Sequence, residues 1–329
     1  MEKLINMLEQ ATRIAVVGHT HPDGDALGCT AAMALTLAGM GKEAACIFSD
    51  TPADNLLFLL APGIPYFFHD ADAHAAEEFI GSADLVILMD CNGFPRTEAL
   101  EPFLSGSAAK KILIDHHLNP DRDSFDEVVS TPDISSASEL TYWTLKELGI
   151  TKEAGYYLMA GMTTDTNNFA NSVFPSTFRM ASELIEMGVD RDEILSKIYS
   201  SYRENRVRLM GYMQYKGMTI LPCGAAFMIL TKEIIDSFDL REGESEGLVN
   251  VPLSIADVRM SVLLKEDEDH FRVSVRSKKG TSAQKIAMTH FHGGGHENAA
   301  GGKLFPGKDF PSREDAAQWL SGILTSFLS

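Results

Sequence analysis

Basic residues are scarce. The 28 lysines and arginines stand against 46 aspartates and glutamates, a net charge of −18 in 329 residues. A chain with that balance is not expected to coat long duplex DNA, which is held through many Lys and Arg contacts to phosphate. Cysteine is scarcer still. Cys29, Cys46, Cys91 and Cys223 are scattered and form no CxxC pair. That argues against a disulfide frame or a thiolate zinc site and fits buried thiols in a reducing cytosol, so a cytoplasmic location is expected. No uninterrupted apolar run approaches the roughly 18 residues of a membrane span. The opening MEKLINMLEQATR lacks the basic-then-apolar order of a secretion signal. Repeats, heptads, low-complexity tracts, P-loops and GxGxxG fingerprints are missing too. What remains is an ordinary globular composition, 45% apolar and 22% charged, in a chain long enough for two domains of about 150 residues each.

The charge is uneven. Residues 1–216 carry 16 basic and 31 acidic groups, whereas residues 217–329 carry 12 and 15. Most of these carboxylates read as solvated surface. The excess in the first part leaves room for a minority gathered around cations.

Short apolar runs alternate with helical spacing in the first half. Arg13–Gly18, Ala44–Phe48, Asp84–Met89 and Lys111–Ile114 read as buried strands. Ala26–Met40 (closed by Gly41), Ser136–Leu148 and Lys152–Met162 read as helices. That alternation predicts βαβ units and a parallel sheet, with sites at the carboxyl ends of its strands. Helical spacing continues over Ser176–Met187 and over Arg191–Met218, the second long and polar enough to bridge two lobes. From about Thr219 strands dominate: Ala225–Leu230, Arg259–Lys265 and Phe271–Arg276, the last two joined by the solvated tip KEDEDH. Gln318–Leu328 predicts a closing helix. The expected organisation is an α/β catalytic domain over 1–190, a helical linker over 191–218 and a smaller α/β domain over 219–329.

The chemistry sits just past the predicted strands. RIAVVG is followed by His19, His21, Asp23 and Asp25, DLVILM by Asp90, and KILI by Asp115, His116 and His117. The helix ending near Met162 is followed by Asp165. A parallel sheet would bring all of these to one edge. Crowded carboxylates repel unless cations neutralise them, and imidazole mixed with carboxylate suits Mn²⁺, with Mg²⁺ or Fe²⁺ as alternatives. Two such ions about 3.5–4 Å apart form a common engine of phosphoester hydrolysis. Singly, each residue has a plainer role: Asp25, just before a helix, would serve as an N-cap. The four segments together point to metal.

GHTHPDGDALG, the Asp of VILMDCN, DHH at 115–117 and Asp165 in GMTTDTNNF resemble, in order, the four motifs of the DHH phosphoesterase superfamily. FRVSVRSK followed by HGGGHENAAGG resembles its DHHA1 substrate-binding domain. The resemblance covers nearly the whole chain, and the two-domain size is most similar to the bacterial oligoribonuclease (nanoRNase) and pAp-phosphatase branch. It implies an N-terminal parallel-sheet DHH domain and a smaller C-terminal α/β DHHA1 domain joined by a helix. It further implies two divalent cations, first of all Mn²⁺. His19 and Asp23 would hold one, Asp25, His116 and Asp165 the other, and Asp90 would bridge. A hydroxide between them would be the nucleophile. His117 would contact the scissile phosphate and aid proton transfer, and Asp115 would orient a histidine. His21 is given no role.

The stretch from Arg272 to Lys285 holds five basic and no acidic side chains, and the glycines that follow would let backbone N–H groups approach an anion. Gly293, Gly294 and Gly295 are the candidates for that approach, and the resemblance favours Arg276, Ser277 and His296 as ligands for the terminal phosphate of a short nucleotide. After Asp165 the sequence departs from many relatives, which have Gly and a basic or bulky residue before Phe. Here Thr166, Asn167 and Asn168 precede Phe169. That puts a direct phosphate contact from this turn in doubt, with Arg96 as a substitute source of charge. The expected activity is metal-dependent hydrolysis of very short oligoribonucleotides to mononucleotides, and of pAp to AMP. The expected partners are short single-stranded oligonucleotides or nucleoside bisphosphates, with no membrane; a homodimer is compatible with them. Cleavage of cyclic di-AMP or pApA by the same site, pyrophosphatase or exopolyphosphatase action, and a non-catalytic nucleotide-binding adaptor stand as alternatives.

Overall fold

A computed structural model describes residues 2–329. The chain divides into two compact units, Met1–Ser201 and Tyr202–Ser329. Among the described residues no helix is long and apolar enough to cross a membrane.

The first unit opens with helix α1 (Glu2–Gln10). It then runs β1 (Arg13–Val17), α2 (Gly24–Gly39), β2 (Glu43–Phe48), β3 (Tyr66–Phe68), α3 (Ala73–Ser82), β4 (Leu85–Met89), α4 (Glu101–Gly106), β5 (Lys110–Asp115) and β6 (Glu127–Ser130). Four helices close it: α5 (Ala137–Leu145), α6 (Lys152–Asp165), α7 (Pro175–Glu186) and α8 (Arg191–Tyr199). All six strands are parallel, in the order β3-β2-β1-β4-β5-β6. The central strands are apolar throughout because both faces are covered. Ile14, Val16, Ile87, Ile112 and Ile114 pack with α1, α2, α5 and α6. Ala15, Val17, Val86, Leu88 and Leu113 face the other way, toward Phe79 and Ile80 of α3 and Leu104 of α4. The chain winds outward from β1 to β3, then returns to β4 on the other side of β1. Such a reversal opens a crevice at the carboxyl ends of the two adjoining strands.

The predicted buried strands form within a residue or so of their expected bounds. The edge strands β3 and β6 are short and half-buried, so neither shows the apolar run that marks a central strand. Helix α6 continues three residues past Met162 and ends with Asp165 in its last turn. The single helix expected over Arg191–Met218 is broken. Helix α8 stops at Tyr199 and a new helix begins at Glu204.

The second unit comprises α9 (Glu204–Tyr212), β7 (Met218–Ile220), β8 (Ala225–Leu230), α10 (Lys232–Ser237), β9 (Met260–Glu266), β10 (Phe271–Ser277), α11 (Ala283–His290), β11 (Gly294–Gly295), β12 (Ala299–Leu304) and α12 (Ala316–Leu328). Its sheet runs β11-β12-β10-β9-β8-β7, parallel only between β8 and β9. Phe271, Val273 and Val275 pack against Ile286 and Phe291 on one face, with Leu320 and Leu324 of α12. Met228, Leu230 and Leu263 pack against Leu209 and Leu248 on the other. The glycine-rich stretch after α11 supplies β11 and most of β12.

Candidate functional site

The first site residue follows a forced turn. A Cβ on Gly18 would lie 2.3 Å from the Phe48 ring, so only glycine lets the chain leave β1 here. His19 comes next and is buried. Its Nδ1 donates to the Thr20 carbonyl at 2.7 Å, which turns Nε2 toward the carboxylates of Asp23 and Asp90. Asp50 braces this loop by accepting from the Thr20 hydroxyl and the His21 N–H. His21 itself is exposed. The Arg96 side chain is also exposed, and its carbonyl accepts the Thr20 N–H at 2.9 Å.

The cap of α2 is Asp23, not Asp25. Asp23 Oδ1 accepts the N–H groups of Asp25 and Ala26, both at 3.0 Å. Asp25 is thereby released from capping, and its buried carboxylate accepts from the Ala137 N–H at 2.7 Å and the Ser138 N–H at 2.9 Å. Those groups form the N-terminus of α5, whose partial positive charge favours an anion. Close helix packing makes this reach possible. A Cβ on Gly28 would sit 2.6 Å from the Tyr157 carbonyl oxygen, and one on Gly161 would sit 2.1 Å from Ser138 Oγ and 3.1 Å from Asp25 Oδ1.

Asp90 stands at the centre. It is buried, directly after β4, with φ of 57°, a left-handed conformation that costs free energy and is held by its surroundings. Its N–H donates to the Ile114 carbonyl of β5. Its Oδ2 lies 3.6 Å from His19 Nε2, and its Oδ1 lies 3.4 Å from His116 Nε2 and 3.8 Å from His117 Nδ1. His19 Nε2 is 3.7 Å from Asp23 Oδ1, and His116 Nε2 is 3.9 Å from Asp165 Oδ2. His117 Nδ1 donates to Asp115 Oδ1 at 2.7 Å, and the His117 N–H reaches Asp115 Oδ2 at 3.1 Å. Asp115 is fully buried.

These atoms form three overlapping sets, His19–Asp23–Asp90, Asp25–His116–Asp165 and Asp90–His116–His117, each with its donor atoms within 4.8 Å of one another. The donors fit a hard or borderline divalent cation: imidazole and carboxylate, with no thiolate. Asp90 Oδ1 supports that fit independently, because it is buried and accepts no hydrogen bond. A carboxylate oxygen so placed is costly unless something positive meets it. The electrostatics agree. Burial and the Asp90 charge push Asp25 up to about 7, and burial and the Asp25 charge push Asp165 up as well. Burial opposes ionisation of Asp90 too, but His116 and His19 hold it well below the usual carboxylate range. Burial alone would lower His19 and His116, yet Asp23 and Asp90 around the first, and chiefly Asp90 around the second, raise both to about 10. Without cations, protons on imidazole offset the crowded carboxylates.

The residues expected to anchor phosphate belong to the second unit and are placed differently. Ser277 is buried; its hydroxyl donates to the Thr281 carbonyl at 2.6 Å and accepts from Asn298 Nδ2 at 3.0 Å. It is a strut of the turn after β10, with its hydroxyl already engaged by Thr281 and Asn298. Gly293 donates its N–H to the Ala287 carbonyl. It must be glycine because a Cβ would lie 1.8 Å from the Gly301 carbonyl oxygen, so close strand packing, and not an anion cradle, explains it. Gly295 has φ of 142°, and its carbonyl accepts Gln284 Nε2. Gly294 has open space beside it. The N–H of His296 donates to the Ala299 carbonyl, and its side chain is half-buried. Arg276 Nη1 donates to the Val275 carbonyl at 3.0 Å.

Sequence reasoning missed Asp50, Asn298 and the Gly28–Gly161 contact. Asp50 ends the run after β2, as Asp90 ends the run after β4, so its position carried a usable signal. The Gly28–Gly161 contact joins two separated segments and left none.

The comparisons with known proteins follow this architecture. A model of the DHH family's N-terminal domain matches residues 13–200, and a DHHA1 domain model matches residues 226–318. The chain is 28% identical over 313 residues to a protein of Bacillus subtilis named bifunctional oligoribonuclease and PAP phosphatase NrnA, covering 92% of this chain and 93% of that one. It is 31% identical over 245 residues to a probable protein of the same name from Streptococcus mutans, covering 73% and 75%. The crystal structure of an exopolyphosphatase-related protein from Bacteroides fragilis is similar with a TM-score of 0.92 at 34% identity, covering 99% of this chain and 96% of that one. The chain belongs to the DHH family, with a DHHA1 domain following its DHH domain.

Proposed function

We propose that this protein is a divalent-metal-dependent phosphoesterase that hydrolyses very short oligoribonucleotides to mononucleotides and removes the 3′-phosphate of pAp. The observation that carries the reading is the joining of two three-residue donor sets at Asp90, whose oxygens face His19 on one side and His116 on the other. His19 and Asp23 would hold one cation, Asp25, His116 and Asp165 the other, and Asp90, with one oxygen facing His19 and the other His116, would be shared by both. Bound there, two Mn²⁺ or similar ions supply a water acidic enough to ionise near neutral pH and offset charge on the phosphoryl oxygens.

The chain's own residues do the rest. The Thr20 carbonyl keeps the Nδ1 proton of His19, so Nε2 would be the ligating atom. The α5 N-terminus orients Asp25. Asp115 fixes the ring of His117 through Nδ1, and His117 would meet the scissile phosphate and pass a proton to the departing ribose oxygen. Arg276 and the His296 side chain would bind a terminal phosphate in an otherwise acidic protein. The two activities named for the Bacillus subtilis relative are one reaction, attack on phosphorus with a ribose oxygen leaving.

A product assay tests this. Mn²⁺-loaded protein is incubated with pAp, pApA, a 5-mer RNA, cyclic di-AMP, pyrophosphate and polyphosphate, with Asp90→Asn as control. The last substrate is included because the Bacteroides fragilis relative is described by likeness to exopolyphosphatases. Turnover of pAp, pApA or the 5-mer, lost in the variant, is expected. Turnover confined to polyphosphate or pyrophosphate would overturn the nucleotide reading, and no turnover at all would leave a nucleotide-binding adaptor. Arg276→Ala should raise KM for 5′-phosphorylated substrates with kcat little changed.

A further inference from the structure

The backbone just past Asp165 is held in a conformation that most side chains avoid. Asn167, Asn168 and Phe169 have successive φ values of 47°, 56° and 66°. Asparagine tolerates this region; a bulky aromatic residue there is a true outlier. Hydrogen bonds impose it: Asn168 N–H to the Thr163 carbonyl at 2.8 Å, and Phe169 N–H to the Thr166 hydroxyl at 3.0 Å. Arg191, the first residue of α8, donates from Nη2 to Asn168 Oδ1 at 2.6 Å. The strained turn delivers the Phe169 ring against Phe178 of α7, centroids 5.3 Å apart and planes 17° from parallel. The Arg191 guanidinium lies 5.8 Å from the Phe169 centroid. Phe169 is partly buried against the core, but Phe178 is 54% exposed.

Three elements thus converge on a flat aromatic surface with a cation beside it, four residues beyond a candidate metal ligand. Strain kept at such a place is a sign of function. An aromatic face next to a guanidinium suits one chemistry above others, a nucleobase carried on a phosphate. Bases stack on such rings whatever their identity, and Arg191 adds a cation–π contact to the Phe169 ring behind the exposed one.

We infer that Phe178, backed by Phe169, whose ring Arg191 meets in turn, is a stacking platform for a base of the substrate. The inference rests on the oligonucleotide reading above and deepens it. It would let the enzyme prefer nucleotides over phosphate chains that carry no base.

The test uses Phe178→Ala and Phe178→Trp in the Mn²⁺-loaded full chain. One readout is quenching of 2-aminopurine in a non-hydrolysable phosphonate dinucleotide. The other is kcat and KM for a normal dinucleotide and for its abasic counterpart. Expected for Phe178→Ala are lost quenching and a rise in KM of roughly five- to hundredfold for the normal dinucleotide, the range of one lost base–aromatic stack. Its kcat and the abasic KM should stay within about twofold, and tryptophan should restore both readouts. Equal losses on both substrates, or quenching that is absent or indifferent to Phe178, would overturn the platform. The two readings separate cleanly. Quenching that depends on Phe178 without turnover of any oligonucleotide sinks the activity and keeps the platform, whereas normal turnover with indifferent quenching does the reverse.

Discussion

The carboxylates at the first unit's strand ends and the ion-paired carboxylates of the second unit live in opposite company. In the second unit they meet arginine and lysine. Glu242 lies 2.9 Å from Arg272 and 2.8 Å from Lys265, Asp239 lies 2.6 Å from Arg203, and Glu266 pairs with Arg313. In the first unit Asp23, Asp25, Asp90 and Asp165 face histidines, backbone N–H groups and one another. The first unit also carries the whole net charge, with 12 basic and 30 acidic groups, whereas the second is balanced at 16 and 16. Charge that is paired with a side chain is spent on the fold. Charge left facing a ring with variable protonation is available to a cation, and the buried Oδ1 of Asp90 is its clearest instance.

The strongest way to break that contrast is Asp90→Asn. Asparagine accepts the left-handed backbone and keeps the shape, so only charge and ligation change. Hydrolysis of every phosphoester should fall by on the order of a thousandfold or more, because both metal sets lose a shared ligand. Retained turnover with retained Mn²⁺ binding would refute the bridging role. Metal itself should divide the two units. Mn²⁺ at 100 times its dissociation constant adds about 2.7 kcal/mol to the state that binds it, so calorimetry should show the first unit's transition rising with Mn²⁺ and falling with EDTA. The second unit's transition should hold still. Movement of both together would mean that the acidic edge is not the metal's site.

Asp115→Asn probes the layer beneath. The buried carboxylate that holds His117 Nδ1 becomes an amide, and the ring loses its fixed tautomer. Losses of about 10–100-fold, usual for such supporting groups, are expected in kcat, with KM and Mn²⁺ affinity near their original values. A drop in metal affinity instead would make Asp115 a support for ligation.

Ser277→Ala draws the line inside the second unit. The hydroxyl bridges Asn298 and the Thr281 carbonyl, so its removal should cost about 1–3 kcal/mol of stability by leaving a buried partner unsatisfied. KM for pAp should not move. A raised KM in a protein of unchanged stability would restore Ser277 to the phosphate anchor.

How legible the molecule was depends on what each feature needs. Central strands announce themselves because burial on both faces demands an unbroken apolar run, as in Leu85–Met89. The metal-type residues were legible for the same reason: a parallel sheet sends every strand end to one edge, so position after a strand was enough. Sequence position alone could not separate Asp23 from Asp25, since either can cap α2. Only the approach of α5, allowed by Gly161, decides which carboxylate is released. Nor could it separate glycine that admits an anion from glycine that admits a neighbouring strand, since Gly293 needs β12 beside it to be understood. The helix break at Ser200–Arg203 lacks the proline or glycine that usually announces one.

Glu242 gives the finest test of the contrast. Burial raises its pKa, but Arg272 and Lys265 outweigh that and hold it at about 2, below its ordinary 4.5. A carboxylate depressed in the folded state contributes stability in full above the unfolded value, and that contribution is lost as pH falls toward the folded one. The second unit should therefore weaken between about pH 4.5 and 2 by a step that Glu242→Gln removes. Because the side chain is 65% exposed, solvent and salt screen the pair and the step should be small, shrinking further at high ionic strength. An acid unfolding profile of equal slope in the variant would show that this pairing adds nothing to the fold. The contrast between spent and available charge would then rest on the first unit alone.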